Sequence, residues 1–141
     1  MKFATNLIND KKFFTDSNGL EEQKRIINYR STWNLTVNEE VSGNFYPVTS
    51  HIGLEDSSTN KSFVILTDRS QGGSVLKDGE IQLMIHRRLL YDDDRGVGES
   101  LNEIESDGSG LKQRVRHYVV FGGNYRQVQV QNDQKVRIVL G

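Results

Sequence analysis

The 141-residue chain has no cysteine, so it holds no disulfide from which a redox compartment could be read. Histidine occurs only at His51, His86 and His117, in separate segments and without His-x-x-x-His or Glu-x-x-His spacing. A zinc site needs three or four converging ligands, so these three read as ordinary strand residues. No apolar run approaches the roughly 20 residues that span a bilayer. The first ten residues, MKFATNLIND, lack the apolar centre of a signal peptide. An excess of one charge is also missing, since 18 basic residues face 19 acidic ones for a net charge of −1. Nothing therefore favours nucleic acid, which demands a basic face. The small stripe of Lys112, Arg114 and Arg116 reads as a solvated face. The single proline, Pro47, interrupts a strand pattern and marks an edge or a bulge.

Alternation with period two runs through what remains, and no helical stripe accompanies it. Short strands are expected at Lys2 to Asn6, Lys12 to Thr15 and Gln23 to Tyr29, with Asp16-Ser17-Asn18-Gly19 as a turn. From Asn44 onward Tyr46, Val48, Ile52 and Leu54 share one face, opposite Phe45, Thr49 and His51. Ser62 to Thr67 is apolar on both faces and reads as an inner strand. Glu80 to Leu90 is the longest strand candidate, followed by Arg116 to Phe121. Gln127 to Gln131 and Lys135 to Leu140 form an expected hairpin around Asn132-Asp133. Close strands joined by turns indicate an all-β fold, an antiparallel β-sandwich in one domain spanning 1–141.

The richest stretch is Thr67 to Glu103, where glycine, adjacent arginines and an acidic cluster crowd together. Arg69-Ser70-Gln71-Gly72-Gly73-Ser74 lacks the ending of a phosphate loop, and no helix follows it. Gly72 and Gly73 are instead expected in a turn that needs positive φ. Asp92, Asp93 and Asp94 are too close in sequence to form a glycosidase carboxylate pair, and they lack the alternation of a calcium loop. Two readings of Arg95 stay open: an ion pair within its own loop, or a guanidinium held by neighbouring carboxylates to meet a ligand. No serine or cysteine triad can be assembled from spacing. Asn34-Leu35-Thr36 and Asn60-Lys61-Ser62 fit the N-glycosylation pattern, each in an expected loop.

Six segments together resemble the C-terminal β-region of glycoside hydrolase family 38, and within it the lysosomal-type α-mannosidases. They are Phe13 to Gly19, Tyr29 to Trp33, Gly43 to Val48, Leu66 to Ser74, Met84 to Leu90 and Asp92 to Glu99. The tail, 122–141, lies outside the resemblance. The resemblance implies part of a galactose-mutarotase-like supersandwich, belonging to a retaining exo-α-mannosidase that trims mannose from N-linked glycans. It implies zinc, a nucleophile and an acid/base carboxylate in a catalytic domain elsewhere, with Met1 as an internal or truncated start. No catalytic or metal residue, and no cofactor, is then expected in this fragment. The implied partners are that catalytic domain and a mannose-containing oligosaccharide. Arg95 is implied to reach substrate or the catalytic carboxylates, with Asp93 and Asp94 holding its fork. His86, Arg87 and Arg88 would stand behind it or at the domain interface, and Gly72, Gly73 and Gly96 would shape the backbone. The implied compartment is the lysosome, which the two sequons at Asn34 and Asn60 fit; secretion is the alternative. A free-standing carbohydrate-binding module is the competing reading of the same fold.

Overall fold

A computed structural model describes residues 1–123 apart from Ser17, Gly19 and Val97. The expected hairpin of Gln127–Gln131 and Lys135–Leu140 lies outside the described residues. Nine strands are described: β1 (Lys2–Ala4), β2 (Lys12–Asp16), β3 (Glu22–Ile26), β4 (Tyr46–Val48), β5 (His51–Asp56), β6 (Lys61–Thr67), β7 (Gln71–Lys77), β8 (Glu80–Met84) and β9 (His117–Gly122). They form two antiparallel sheets in the orders β1-β8-β7-β4 and β3-β2-β5-β6-β9. The expected all-β sandwich is what the chain builds.

Alternation explains which side of each strand meets the other sheet. Phe13 on β2, Ile52 and Leu54 on β5, and Phe63 and Ile65 on β6 point inward from the five-stranded sheet. Tyr46 and Val48 on β4, Val75 on β7, and Ile81 and Leu83 on β8 answer them from the four-stranded sheet. Phe13 meets Tyr46 edge to face, with ring centroids 5.6 Å apart, a geometry the ring quadrupoles favour. The outer side of β6 is apolar too: Val64 is buried there against Phe14 and Val120. Ser62 to Thr67 is thus the inner strand its sequence indicates, paired by β5 on one side and β9 on the other.

Pro47 sits on β4, the last strand of its sheet. An edge tolerates the missing N–H. The alternating residues from Tyr46 to Leu54 do share the core, but not one strand. The chain turns at Thr49-Ser50, so β4 and β5 belong to opposite sheets.

Three expectations are corrected. The strand expected from Glu80 to Leu90 stops at Met84. Its neighbours end first: β1 pairs it only as far as Gln82, and β7 only as far as Met84 opposite Gly72. A strand without ladder partners leaves its backbone groups to other acceptors. The strand expected from Gln23 to Tyr29 stops at Ile26, and Asn28 turns the chain with φ 59°. Gly72 and Gly73 lie not in a turn but inside β7, paired with Pro47 and Tyr46 of β4, and neither has positive φ. The reason for glycine is close approach. A Cβ on Gly73 would stand 2.7 Å from Val48 Cγ2 and 2.9 Å from Ile52 Cδ1, a residue of the facing sheet. Bare backbone lets the two layers close at this point.

Candidate functional site

Between β8 and β9 the chain makes a long excursion, residues 85–116, without a described strand. Irregular connections of such length in compact domains commonly carry function. Ile85 packs against the core as the segment departs. His86, Arg87 and Arg88 follow, all exposed. The Arg88 Nε–H donates to Asn102 Oδ1, and Leu89 N donates to Leu101 O at 2.9 Å. The outgoing and returning arms of the excursion are therefore cross-braced. Further on, Ile104 and Gly110 form an isolated antiparallel bridge, with Glu105 N donating to Ser109 O at 2.8 Å.

The acidic cluster lies at the tip. Asp94 N donates to Asp92 Oδ2 at 3.2 Å, and Arg95 N donates to Asp93 Oδ1 at 3.1 Å. These are turns in which an aspartate side chain caps the backbone two residues on. Asp94 itself has φ 56° and Gly96 has φ 145°. The second value lies in backbone space that residues with a Cβ avoid, which glycine at position 96 permits. Asp93, Asp94 and Arg95 are exposed. The anticipated grip of Asp93 and Asp94 on the Arg95 fork is not formed. Asp93 holds the Arg95 main chain instead, and no ion pair or hydrogen bond among the described residues engages the guanidinium. The local ion pair is likewise not formed. What the loop presents is a guanidinium whose donors meet no partner among the described residues, on a backbone whose direction is fixed by aspartate turns. Neither hydrogen bonds nor ion pairs join Arg95 to His86, Arg87 or Arg88 among the described residues.

The return to β9 is governed by Asp68 and Arg69, at the end of β6. The Arg69 guanidinium donates to Asp68 Oδ1 (3.1 Å), Gln113 Oε1 (3.2 Å) and Arg114 O (2.9 Å). Asp68 Oδ2 accepts from Arg116 N at 3.0 Å. Hydrogen bonding from Arg69 first of all holds the Asp68 carboxyl below its ordinary range. His117 then contacts Gln71 Oε1 at 2.9 Å, and burial lowers its affinity for a proton despite the nearby Asp68 charge.

A second polar cluster escaped sequence reasoning. Asp16 is buried on β2 and accepts from Thr49 N (3.2 Å), Ser50 N (2.9 Å), His51 N (3.0 Å) and Ser50 Oγ (2.7 Å). Burial alone would raise its pKa, but the N–H of His51 and the Ser50 groups outweigh that and hold it below the ordinary value. Ser50 Oγ also lies 3.0 Å from His51 Nδ1. His51 Nε2 faces Glu22 Oε2 at 3.8 Å, and both atoms are buried without a hydrogen bond. This serine, histidine and aspartate do not constitute a nucleophile: the hydroxyl is committed to Asp16 inside the fold. Asp16 lies more than thirty positions from Thr49, Ser50 and His51 in sequence, which no spacing rule would connect.

Among the described residues no three His, Asp or Glu side chains converge as metal ligands. His51 is enclosed by Asp16 and Glu22, His117 is engaged with Gln71, and His86 stands exposed. The described residues offer no ligand set for a metal, and the zinc that the resemblance implies is expected in a separate catalytic domain.

Comparison with known proteins adds the family. The model of the glycosyl hydrolases family 38 C-terminal domain matches residues 1–95. Lysosomal alpha-mannosidase from Bos taurus is 54% identical over 119 residues, which is 84% of this chain and 11% of that protein. The Homo sapiens protein of the same name is 50% identical over the same shares. That from Dictyostelium discoideum is 47% identical over 102 residues, 72% of this chain and 10% of its own. The chain thus spans about a ninth of the length of these relatives. On the family match over most of its length, together with its two antiparallel sheets, this chain belongs to glycoside hydrolase family 38, in the C-terminal domain of that family.

Proposed function

We propose that this chain is a non-catalytic part of an α-mannosidase that removes terminal α-linked mannose from N-glycans with retention. It packs on a catalytic domain that supplies the zinc, the nucleophile and the acid/base carboxylate, and it hydrolyses nothing alone. The compartment is the lysosome, in keeping with the names of its relatives. Asn34 and Asn60, both exposed, carry N-linked glycans.

Arg95 is the contribution to the pocket wall. The observation that carries this is its guanidinium, exposed and without a partner among the described residues, on a loop whose backbone is fixed by Asp92 and Asp93. Five N–H donors in a rigid fork suit sugar hydroxyls or a catalytic carboxylate. Arg87 and Arg88 stand behind it, with Arg88 bracing the loop on Asn102.

Two measurements test the reading. In a mannosidase that carries this segment with its catalytic domain, Arg95→Ala lowers kcat/KM about 10- to 1000-fold, as loss of one electrostatic contact near a transition state does. Unchanged kinetics would remove Arg95 from the site. The isolated chain shows no turnover of α-mannosides and binds mannose oligosaccharides more weakly than about millimolar, since a half-pocket has too few convergent groups. Tighter binding would favour the free-standing carbohydrate module instead.

A further inference from the structure

At one end of the sandwich a cleft of about 480 Å³ opens between the segment after β1 and the β6–β9 edge. Thr5 and Asn6 line one side of it, and Thr59, Lys61 and Phe121 the other. Asn60 therefore sits between two lining residues, at the tip of the β5–β6 hairpin. It is exposed, with φ 53°, a left-handed conformation that asparagine tolerates better than most residues. Asn60-Lys61-Ser62 is an acceptor pattern for N-glycosylation.

The neighbourhood is built to hold its shape. Asp56 Oδ1 accepts from Ser58 Oγ (2.6 Å), Ser58 N (2.9 Å) and Thr59 N (3.2 Å), and Oδ2 from Ile8 N (3.3 Å). It thereby ties the turn to the segment across the cleft. Those bonds, the Ser58 hydroxyl first, keep Asp56 a carboxylate well below the usual range. The Ser62 hydroxyl donates to Gly123 O at 2.7 Å and pins the end of β9 beside the turn. Phe121 stands opposite Phe63 in the ladder, their ring centroids 6.3 Å apart, yet 58% of its surface stays exposed. Lys61 forms no ion pair among the described residues. An exposed aromatic face beside an ammonium that has no ion pair among the described residues suits an amphipathic ring, and a pyranose is one.

We propose that the first N-acetylglucosamine of a glycan on Asn60 folds back into this cleft. Its apolar face lies on Phe121, and its oxygens meet Lys61 and Asn6, while the Thr5 hydroxyl stays committed to Gly79 O and Leu7 N. The sugar then covers an aromatic that stays more than half exposed, and the cleft is a docking site for the chain's own modification. The proposal rests on occupancy of Asn60, stated above as part of the functional reading. Occupancy and docking are read separately.

The full chain is secreted from a host that makes oligomannose glycans, and glycopeptide mass spectrometry gives the occupancy of Asn60. Native cleavage by an endoglycosidase that cuts between the two core N-acetylglucosamines then reports docking. The expected result is an occupied Asn60 whose glycan is released about three- to tenfold faster from Phe121→Leu than from the wild type, the range one aromatic contact supplies. Phe121→Tyr retains the ring and the slow rate. Lys61→Gln, which preserves the acceptor pattern and removes only an exposed ammonium, falls between the two and serves if Phe121→Leu does not fold. An unmodified Asn60 would overturn both the occupancy and the docking. A modified Asn60 released at the same rate from all four proteins would overturn the docking alone.

Discussion

Asp16 illustrates how one side chain organises a region that its local sequence does not advertise. It follows Phe13-Phe14-Thr15 and precedes Ser17-Asn18-Gly19, so it reads as the first residue of a turn. In the fold it is buried, and it gathers the main chain of Thr49, Ser50 and His51 at the point where the chain crosses from one sheet to the other. Its carboxyl is held below the ordinary value. Folding therefore favours the ionised form, and this part of the stability is fully present above the unfolded value near 3.8 and fades as pH falls through the lower folded value. Asp16→Asn removes acceptor capacity from buried donors and costs about 1–3 kcal/mol at neutral pH. Urea titrations from pH 7 to pH 3 should show the gap between wild type and variant narrowing at the acid end. A gap of constant size would mean that the charge of Asp16 contributes nothing.

At the scale of elements, the strands that pattern reveals are those whose own residues alternate or run apolar. β2, β5, β6 and β9 fall close to where alternation and apolar runs place them, and the sandwich follows from them. β7 is not visible in this way. Its Gln71-Gly72-Gly73-Ser74 opening has the composition of a turn, and its ladders to β4 and β8 make it a strand, with no room for a Cβ on Gly73 beside Val48 and Ile52. The far end of Glu80 to Leu90 is lost for the converse reason: its alternation continues, but no partner does. The candidate site was legible as a composition, a cluster of charge and glycine, while its wiring was not. Asp93 grips a main-chain N–H rather than a guanidinium, and sequence does not distinguish the two. Nor does it show that Asp68 and Arg69 clasp residues 113–116, more than forty positions away. That clasp makes a prediction about β9. Arg69→Ala removes the side-chain bonds to Gln113 and Arg114, so hydrogen exchange should quicken across 113–118, while β5 and the β5-facing side of β6 keep their protection. Faster exchange throughout the five-stranded sheet would place Arg69 in the global core instead.

For the molecule as a whole, the balance of covered and uncovered apolar surface is uneven. The core between the sheets is closed, with Phe13, Ile52, Leu54, Ile65 and Ile81 fully buried. Leu90 and Tyr91, at the base of the excursion that carries Arg95, keep 67% and 84% of their surface exposed, and Trp33 keeps 60%. Scattered exposed apolar residues are ordinary on any protein, but Leu90 and Tyr91 adjoin the loop proposed to reach into a pocket housed elsewhere. In that reading they meet the catalytic domain and are buried only in the complete enzyme. The double substitution Leu90→Ser with Tyr91→Ser should therefore leave the isolated chain almost untouched, within about 0.5 kcal/mol, as surface changes do. In a complete mannosidase it should lower the melting temperature of the assembled protein by several degrees, because two apolar side chains then leave an interface at about 1.5–3 kcal/mol each. Calorimetry on both forms separates the cases. Equal loss in the two would show that the pair supports the sandwich itself, and no loss in either would mean that no domain covers this face and that Arg95 projects into solvent.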